Sequence, residues 1–432
     1  MFKRKTLAAL TFTALVSLTS AAFAEDASIR FAWWGNEARA ANTLKVIKLF
    51  EEKNPGITVK AEYSGYDGYQ TRLSTQFAGG TEPDVMQVLL AWLPMFSKKG
   101  DGFEDINKYS SLINLEEFPK TTLEQVTVNG KMQGVPIGST GFLFLYNKEP
   151  WQKAKIDYPK TWDELFEAGT LMRERLGDEY YPLDPTTQGS FLISLSWAMQ
   201  KYNVNFIDPD EPKVSMSEEQ VADWLRFFKR LENEHVLVSI KARTAMGGAN
   251  KPTSQMPDWV EGKWGGVYSQ DSTLTSRADT LTGGLDQLEV GPYIMLPDAK
   301  TAGTMSRTGF IYSISKHSKQ QEAAAKFINF LTTDTEAARI IGTSRAIPAS
   351  KTQWDVLIKE NLIPPIQKIG TGQIMALDEK GLVPRFSLYF EHPLIYKLLF
   401  DTFEELSFDK TTPEEAAPKL IKEATRVLSR LE

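Results

Sequence analysis

The chain has 432 residues, with 55 acidic against 49 basic side chains, three histidines and no cysteine. That balance argues against a nucleic-acid binder, the missing cysteine excludes disulfides and a lipid-bearing cysteine, and the scattered His235, His317 and His392 give no zinc-site spacing. A chain of this size can form about two or three domains with cores of their own, so it needs no covalent staple.

Lys3, Arg4 and Lys5 precede an apolar stretch from Leu7 to Leu18, and Ala22-Phe23-Ala24 offers a small-x-small cleavage site. The pattern predicts a secretory signal peptide over residues 1–24, because the apolar stretch falls well short of the ~20 residues that span a bilayer. Its removal leaves 408 residues with a net charge of −9. No later segment reaches spanning length, so the expected product is soluble, starts near Glu25 and diffuses freely in a bacterial periplasm.

Ile29–Trp34 reads as a strand ending in two aromatics and Gly35. Ala38–Lys53 reads as a helix with Leu44, Ile47 and Phe50 near one face, stopped by Asn54-Pro55-Gly56. Ile57, Val59, Ala61 and Tyr63 alternate as a second strand, a helix follows over Tyr69–Ala78, and the turn Gly79-Gly80-Thr81-Glu82-Pro83 leads into a third strand over Asp84–Val88. Strand and helix alternating in this way predict a parallel sheet flanked by helices. Capping boxes at Thr161–Glu164, Ser217–Gln220 and Ser318–Gln321 open later helices, and Thr412-Pro413-Glu414-Glu415 opens the last, where Pro418 is expected to bend the first turns. Gly134–Thr140 and Val290–Pro297 have strand character and read as crossings between domains, with a third transition after Ile347-Pro348-Ala349-Ser350.

Several segments together resemble a known family across the mature length. They are Phe50–Val59, Gly80-Thr81-Glu82-Pro83-Asp84-Val85, Asn129–Pro136, Leu145-Tyr146-Asn147-Lys148-Glu149, Pro159–Leu165 and Ala323–Ile328. In that order and spacing they resemble the maltose-binding type of extracellular solute-binding protein, family 1. The resemblance implies an α/β, two-lobed periplasmic binding protein fold with mixed sheets flanked by helices and a hinge between the lobes. It maps one lobe to 25–138 and 298–350 and the other to 139–297 and 351–432. It also implies an oligosaccharide ligand, delivery to an inner-membrane ABC permease with its ATPase, and a monomeric state. No cofactor is expected, and an oxygen-ligated metal is left open with no motif to recommend it. Trp33-Trp34-Gly35-Asn36, Tyr63–Gly68, Glu82–Gln87, Trp92-Leu93-Pro94, Gly177–Leu183 and Gln200–Asn203 look most like oligogalacturonide-binding proteins. The pattern departs from them at Asp184–Ser190 and Ala242–Ser254.

Sugar recognition needs aromatic faces for the C–H side of a pyranose and polar side chains for its rim. Trp33, Trp34, Tyr66 and Trp92 follow the first three strands, where the carboxyl edge of a parallel sheet gathers ligand contacts. One of the adjacent Trp33 and Trp34 is also expected to face the core. Asn36, Glu37 and Gln87 are candidate rim contacts, although Glu37 also suits a helix N-terminus. From the second lobe the resemblance suggests Trp197, Tyr268, Gln270 and Asp271. A uronate further requires a cation for its carboxylate. Arg307 is the leading candidate and Arg39 and Arg72 are secondary, with ordinary surface ion pairs as the alternative. A neutral plant oligosaccharide is the alternative cargo. A secreted carbohydrate-active enzyme is the remote alternative, without a Gly-x-Ser-x-Gly elbow or a His-Glu-x-x-His motif to support it.

Overall fold

The computed structural model describes residues 26–35, 37–66, 68–278 and 280–431, so the predicted signal peptide, Asn36 and Asp67 lie outside the described residues. Strand β1 (Ala27–Trp34) pairs in parallel with β2 (Ile57–Ser64) on one side and β3 (Val85–Leu89) on the other. Helix α1 (Glu37–Lys53) and helix α2 (Tyr69–Gly79) make the crossovers. The predicted elements are present here, but the buried face of α1 is Ala40, Thr43, Val46, Ile47 and Phe50, whereas Leu44 is 39% exposed. The row 40, 43, 47, 50 follows the three-and-four spacing of one helical stripe, and Leu44 sits beside that stripe.

The sheet is mixed, because the strand Ser306–Ile314 runs antiparallel to β3 and bridges it to a thirteen-residue strand, Val135–Asn147. This long strand serves both halves of the molecule. Residues 135–141 pair with Ser306–Ile314, and residues 142–147 pair with Gly266–Gln270 and Leu288–Val290. Its register shifts between Pro136 and Ser139, at Gly138, where a side chain would collide with the carbonyl of Ile347. A shift of this kind bends a strand and raises its twist.

Two main cores form around these two sets of strands. The N-terminal core joins Phe31, Trp33, Phe50, Val85, Ile311 and Phe327, with the Phe327 ring edge-on to Phe31 at 5.2 Å and to Phe50 at 4.9 Å. The C-terminal core joins Phe142, Phe144, Tyr146, Trp162, Phe191, Trp224 and Phe403 under a layer of helices. Leu143 and Leu145 point the other way, into a separate cluster with Trp259, Trp264 and Val267. Both faces of the strand are thus covered, which is why 142–146 reads as an unbroken apolar run.

Two expectations are corrected. Ser318 does not open a helix; Gln321–Thr333 begins after Gln320, because the Ser318 hydroxyl donates to Asp84 Oδ1 at 2.5 Å and accepts from Gln320 N. The strand character of Val290–Pro297 ends at Val290, and the chain beyond it is held by Gln200, whose amide donates to the carbonyls of Ile294 (3.1 Å) and Ala302 (2.9 Å). The helix Lys351–Lys359 lies against Gln321–Thr333 and Thr335–Ile341, with Gln353 donating to the Leu331 carbonyl at 3.1 Å. The helix Pro413–Leu428 contains Pro418 and starts from a complete capping box between Thr412 and Glu415.

Candidate functional site

The carboxyl ends of β1, β2 and β3 bring four of the predicted aromatics to one sheet edge, and they separate into two roles. Trp33 points into the N-terminal core, fully enclosed and stacked between Phe31 (4.8 Å) and Tyr63 (5.1 Å). Trp34 faces the opposite side, as adjacent strand residues must. It packs against Tyr69 (5.0 Å), Trp92 (5.4 Å), Phe310 (5.5 Å) and Tyr66 (5.9 Å). Within this cluster Trp34 and Trp92 are nearly covered, while Tyr66 is 54% exposed and stacks on Trp92 at 6.3 Å with 25° between the planes. The accessible sugar-sized face is therefore Tyr66, with Trp92 and Trp34 as its backing. Phe310 and Tyr69 complete the cluster and had no local motif to announce them.

Several polar candidates have partners within the scaffold. Gln87 is 1% exposed and accepts a hydrogen bond from Arg345, which also donates to Thr43 Oγ1 at 2.6 Å, so its amide is held inside the N-terminal core. Arg39 donates from Nε to the Ser344 carbonyl at 2.5 Å, tying α1 to the turn before Ile347. Glu37 is an exposed acid in the first turn of α1, where it favours the positive end of the helix. Arg72 lies over the Tyr69 ring at 5.3 Å and, among the described residues, has no ion pair, with Nη2 buried and unpartnered.

In the C-terminal core a cavity of about 340 Å³ opens between the helix Thr187–Tyr202, the strand Gly266–Gln270 and the 250–253 turn. Gln270 lines it half-buried, and Tyr268 contributes to its floor, its hydroxyl 2.9 Å from that of Tyr293. Burial pushes the Tyr268 phenol above its ordinary pKa, so it stays neutral. The two segments where the chain departs from the oligogalacturonide-binding pattern meet in this one cavity: Asp184, Pro185, Thr186, Gln188 and Gly189 from the first, Asn250, Pro252 and Thr253 from the second. They are locked together by the enclosed ion pair of Asp184 and Arg243, and Arg243 also donates to the Ala249 carbonyl at 3.0 Å.

Asp271 is buried and hydrogen-bonded within the fold. Its Oδ1 accepts from Thr140 Oγ1 (2.7 Å) and Gly141 N (3.2 Å), and its Oδ2 accepts from Thr371 Oγ1 (2.7 Å). It pins the midpoint of the long strand to the helix Pro365–Glu379. Trp197 is stacked flat on Phe227 at 4.0 Å, with the Lys201 ammonium 4.9 Å from its ring.

Arg307 sits where the two halves of the sheet join, opposite Thr140. Its Nε lies 2.6 Å from Glu391 Oε2. Burial pushes Glu391 above its ordinary pKa, and Arg307 pulls it back. Glu391 Oε1 accepts from the Tyr396 hydroxyl (3.1 Å), which in turn accepts from Gln188 Nε2 (3.3 Å). A polar chain thus runs from Arg307 to the wall of the second cavity, while Phe310, three residues along the same strand, touches Trp34. A larger groove of about 630 Å³ lies between Leu93–Lys99, Lys120–Gly130 and Arg385–Tyr389, but holds none of the candidate residues. Among the described residues no cluster of three or more acids or histidines is placed to hold a metal, and no helix is long and apolar enough to cross a membrane.

With this geometry in view, the profile of the bacterial extracellular solute-binding protein family matches residues 34–338. The chain belongs to that family. The structure of a periplasmic oligogalacturonide binding protein from Yersinia enterocolitica is 37% identical, covering 94% of this chain and 99% of that one at a TM-score of 0.87. Such a protein from the same organism, in complex with saturated digalacturonic acid, is 38% identical over the same shares at a TM-score of 0.76. The first curated relatives, putative binding proteins of Brucella such as that of Brucella abortus, are 31% identical over 170 residues. That match spans 38% of this chain and only 40% of theirs. The fold is therefore the α/β solute-binding architecture with mixed sheets flanked by helices. The family is one of solute binders, which gives the enzyme alternative no footing.

Proposed function

We propose that this protein is the periplasmic binding component of an ABC-type importer and captures short oligogalacturonides between its two cores. The observation that carries the reading is a pair of surfaces, one on each core. The N-terminal core offers an exposed ring, Tyr66, on an aromatic bed. The C-terminal core offers a polar cavity lined by Gln188, Ser269 and Gln270. A ligand touching both surfaces stabilises the arrangement that brings them together, which is how such a binder signals occupancy. The acidic cargo is supported by similarity to the Yersinia enterocolitica protein over nearly the whole chain.

The moving parts on this reading are the segments 25–138 with 298–350 and 139–297 with 351–432, hinged near Gly134–Thr140 and the return around residue 297. Support comes from the long strand shared by both cores and its register shift at Gly138. The TM-score also falls from 0.87 to 0.76 toward the digalacturonic acid complex while identity is 37% and 38%, as a rearrangement of rigid halves would give. After signal-peptide cleavage the binder is soluble and monomeric, needs no cofactor, and delivers its sugar to a membrane permease driven by an ATPase. A neutral plant oligosaccharide is the second reading, favoured by the engagement of Arg307 with Glu391.

Calorimetry against di- and trigalacturonate, maltose, xylo-oligosaccharides and arabino-oligosaccharides tests the cargo. Galacturonate binding with weak or absent binding of the neutral sugars is expected; the reverse pattern rejects the acidic assignment and leaves the receptor role standing.

A further inference from the structure

The cavity in the C-terminal core carries a charge imbalance that the predicted candidates do not explain. Its charged lining residues are Asp184 and Arg277. Asp184 is committed to Arg243, which lies behind the wall with no exposed surface. Arg277 donates from Nη2 to Ser269 Oγ at 3.1 Å and has no carboxylate partner among the described residues. Two guanidinium groups therefore share one carboxylate at a partly buried site. Burial acts first on Arg277 and pulls its pKa below the ordinary value, with Asp184 offsetting part of that effect and Arg243 adding to it. A cation in this position is short of a counter-ion, and desolvated charges are stable only when paired.

The backbone at this position is anchored. The backbone carbonyl of Arg277 accepts from Trp259 Nε1 at 3.2 Å, and Trp259 is fully enclosed. The neighbouring wall offers neutral rim groups suited to sugar hydroxyls: Gln188, Gln270 and Asn250. A planar guanidinium beside such groups recognises a carboxylate by paired, charge-assisted hydrogen bonds better than a hydroxyl, which carries no charge to neutralise.

We propose that Arg277 forms an anionic subsite in the C-terminal cavity and holds the carboxylate of one uronic acid residue of the ligand. The assignment rests on the acidic-cargo reading and sharpens it by moving the counter-ion from Arg307, which is ion-paired with Glu391, to Arg277, which has no carboxylate partner among the described residues. The two departing segments then build the walls around that subsite. Arg307 is left as a positioning residue that links the sheet junction to Glu391, Tyr396 and Gln188.

The test is calorimetry of the full mature chain with digalacturonate and with its methyl ester, which keeps the sugar framework and removes the charge. Wild-type protein should prefer the acid. Arg277→Gln should lose about 30-fold or more in affinity for digalacturonate, with little change for the ester. Arg277→Lys, which keeps the charge without the fork, should fall between them. Unchanged acid binding by Arg277→Gln, or equal losses for acid and ester, overturns the subsite. Should the glutamine variant fail to fold, the lysine variant decides: an acid-over-ester preference equal to that of wild type overturns the proposal, and a reduced one supports it. Wild-type protein that binds neither ligand while binding a neutral sugar overturns the acidic-cargo reading itself, a result distinct from failure at Arg277.

Discussion

Asp184 and Arg243 form an ion pair from which solvent is excluded on both sides. Removing either partner strands the other charge in a medium that cannot solvate it. Asp184→Ala or Arg243→Ala should cost about 3–5 kcal/mol of folding stability, and the double change Asp184→Leu with Arg243→Met should cost less than either. Urea denaturation of the three variants checks this. Additive losses would mean that the two groups do not act as a pair.

Tyr66 and Trp33 should separate affinity from stability. Tyr66→Ala removes an exposed ring, so the fold should change by no more than about 0.5 kcal/mol while sugar affinity falls by about 1 kcal/mol or more. Trp33→Ala empties a site enclosed between Phe31 and Tyr63 and should cost about 3–5 kcal/mol of stability. Thermal melts and calorimetry on the same samples distinguish the two. An affinity loss confined to the Trp33 variant would reverse their roles.

Asp271 accepts three hydrogen bonds at the midpoint of the long strand. Asp271→Ala leaves Gly141 N–H buried without its acceptor and should destabilise the fold by about 1–3 kcal/mol. Thr371→Val should cost less, since it removes one of the three. Denaturation midpoints that do not rank in this order would show that the carboxylate is not the anchor of this junction.

Glu82 gives the fold a pH dependence. Burial raises its pKa, but hydrogen bonds from Ser315, from the backbone and from His317 outweigh burial and hold it below its ordinary value. A depressed acid stabilises fully at pH above the unfolded glutamate value of about 4.3. That contribution drains away as the pH falls through this value toward the lower folded one. Unfolding free energies measured between pH 7 and pH 3 should decline less steeply for Glu82→Gln than for the wild type. Parallel curves would exclude the effect.

Elements that depend on neighbours in sequence were legible without the structure. The capping boxes at Ser217 and Thr412 sit where the spacing placed them, and the first strands and helices match within a residue or two. Ser318 shows the limit, because a capping pattern has no knowledge of Asp84, more than two hundred residues away, which takes its hydroxyl. Gln87, Arg39 and Asp271 have the polarity of sugar contacts, but Arg345, Ser344 and Thr140 with Thr371 consume them first, through partners remote in the chain. Arg277 lay beyond sequence reasoning for the converse reason. Its interest comes from having no carboxylate partner among the described residues, and no local spacing records a missing partner.

The pairing of β3 with Ser306–Ile314 joins residues more than two hundred positions apart. A ribosome therefore releases β1, β2 and β3 long before the strand that closes their open edge exists. Until that late segment arrives, the leading third of the chain lacks both its neighbour in the sheet and the Phe327 ring that seals it. Long-range pairing of this kind forms slowly. The early portion therefore keeps an open edge until residues far along the chain reach it, and the first core closes only when most of the polypeptide is available.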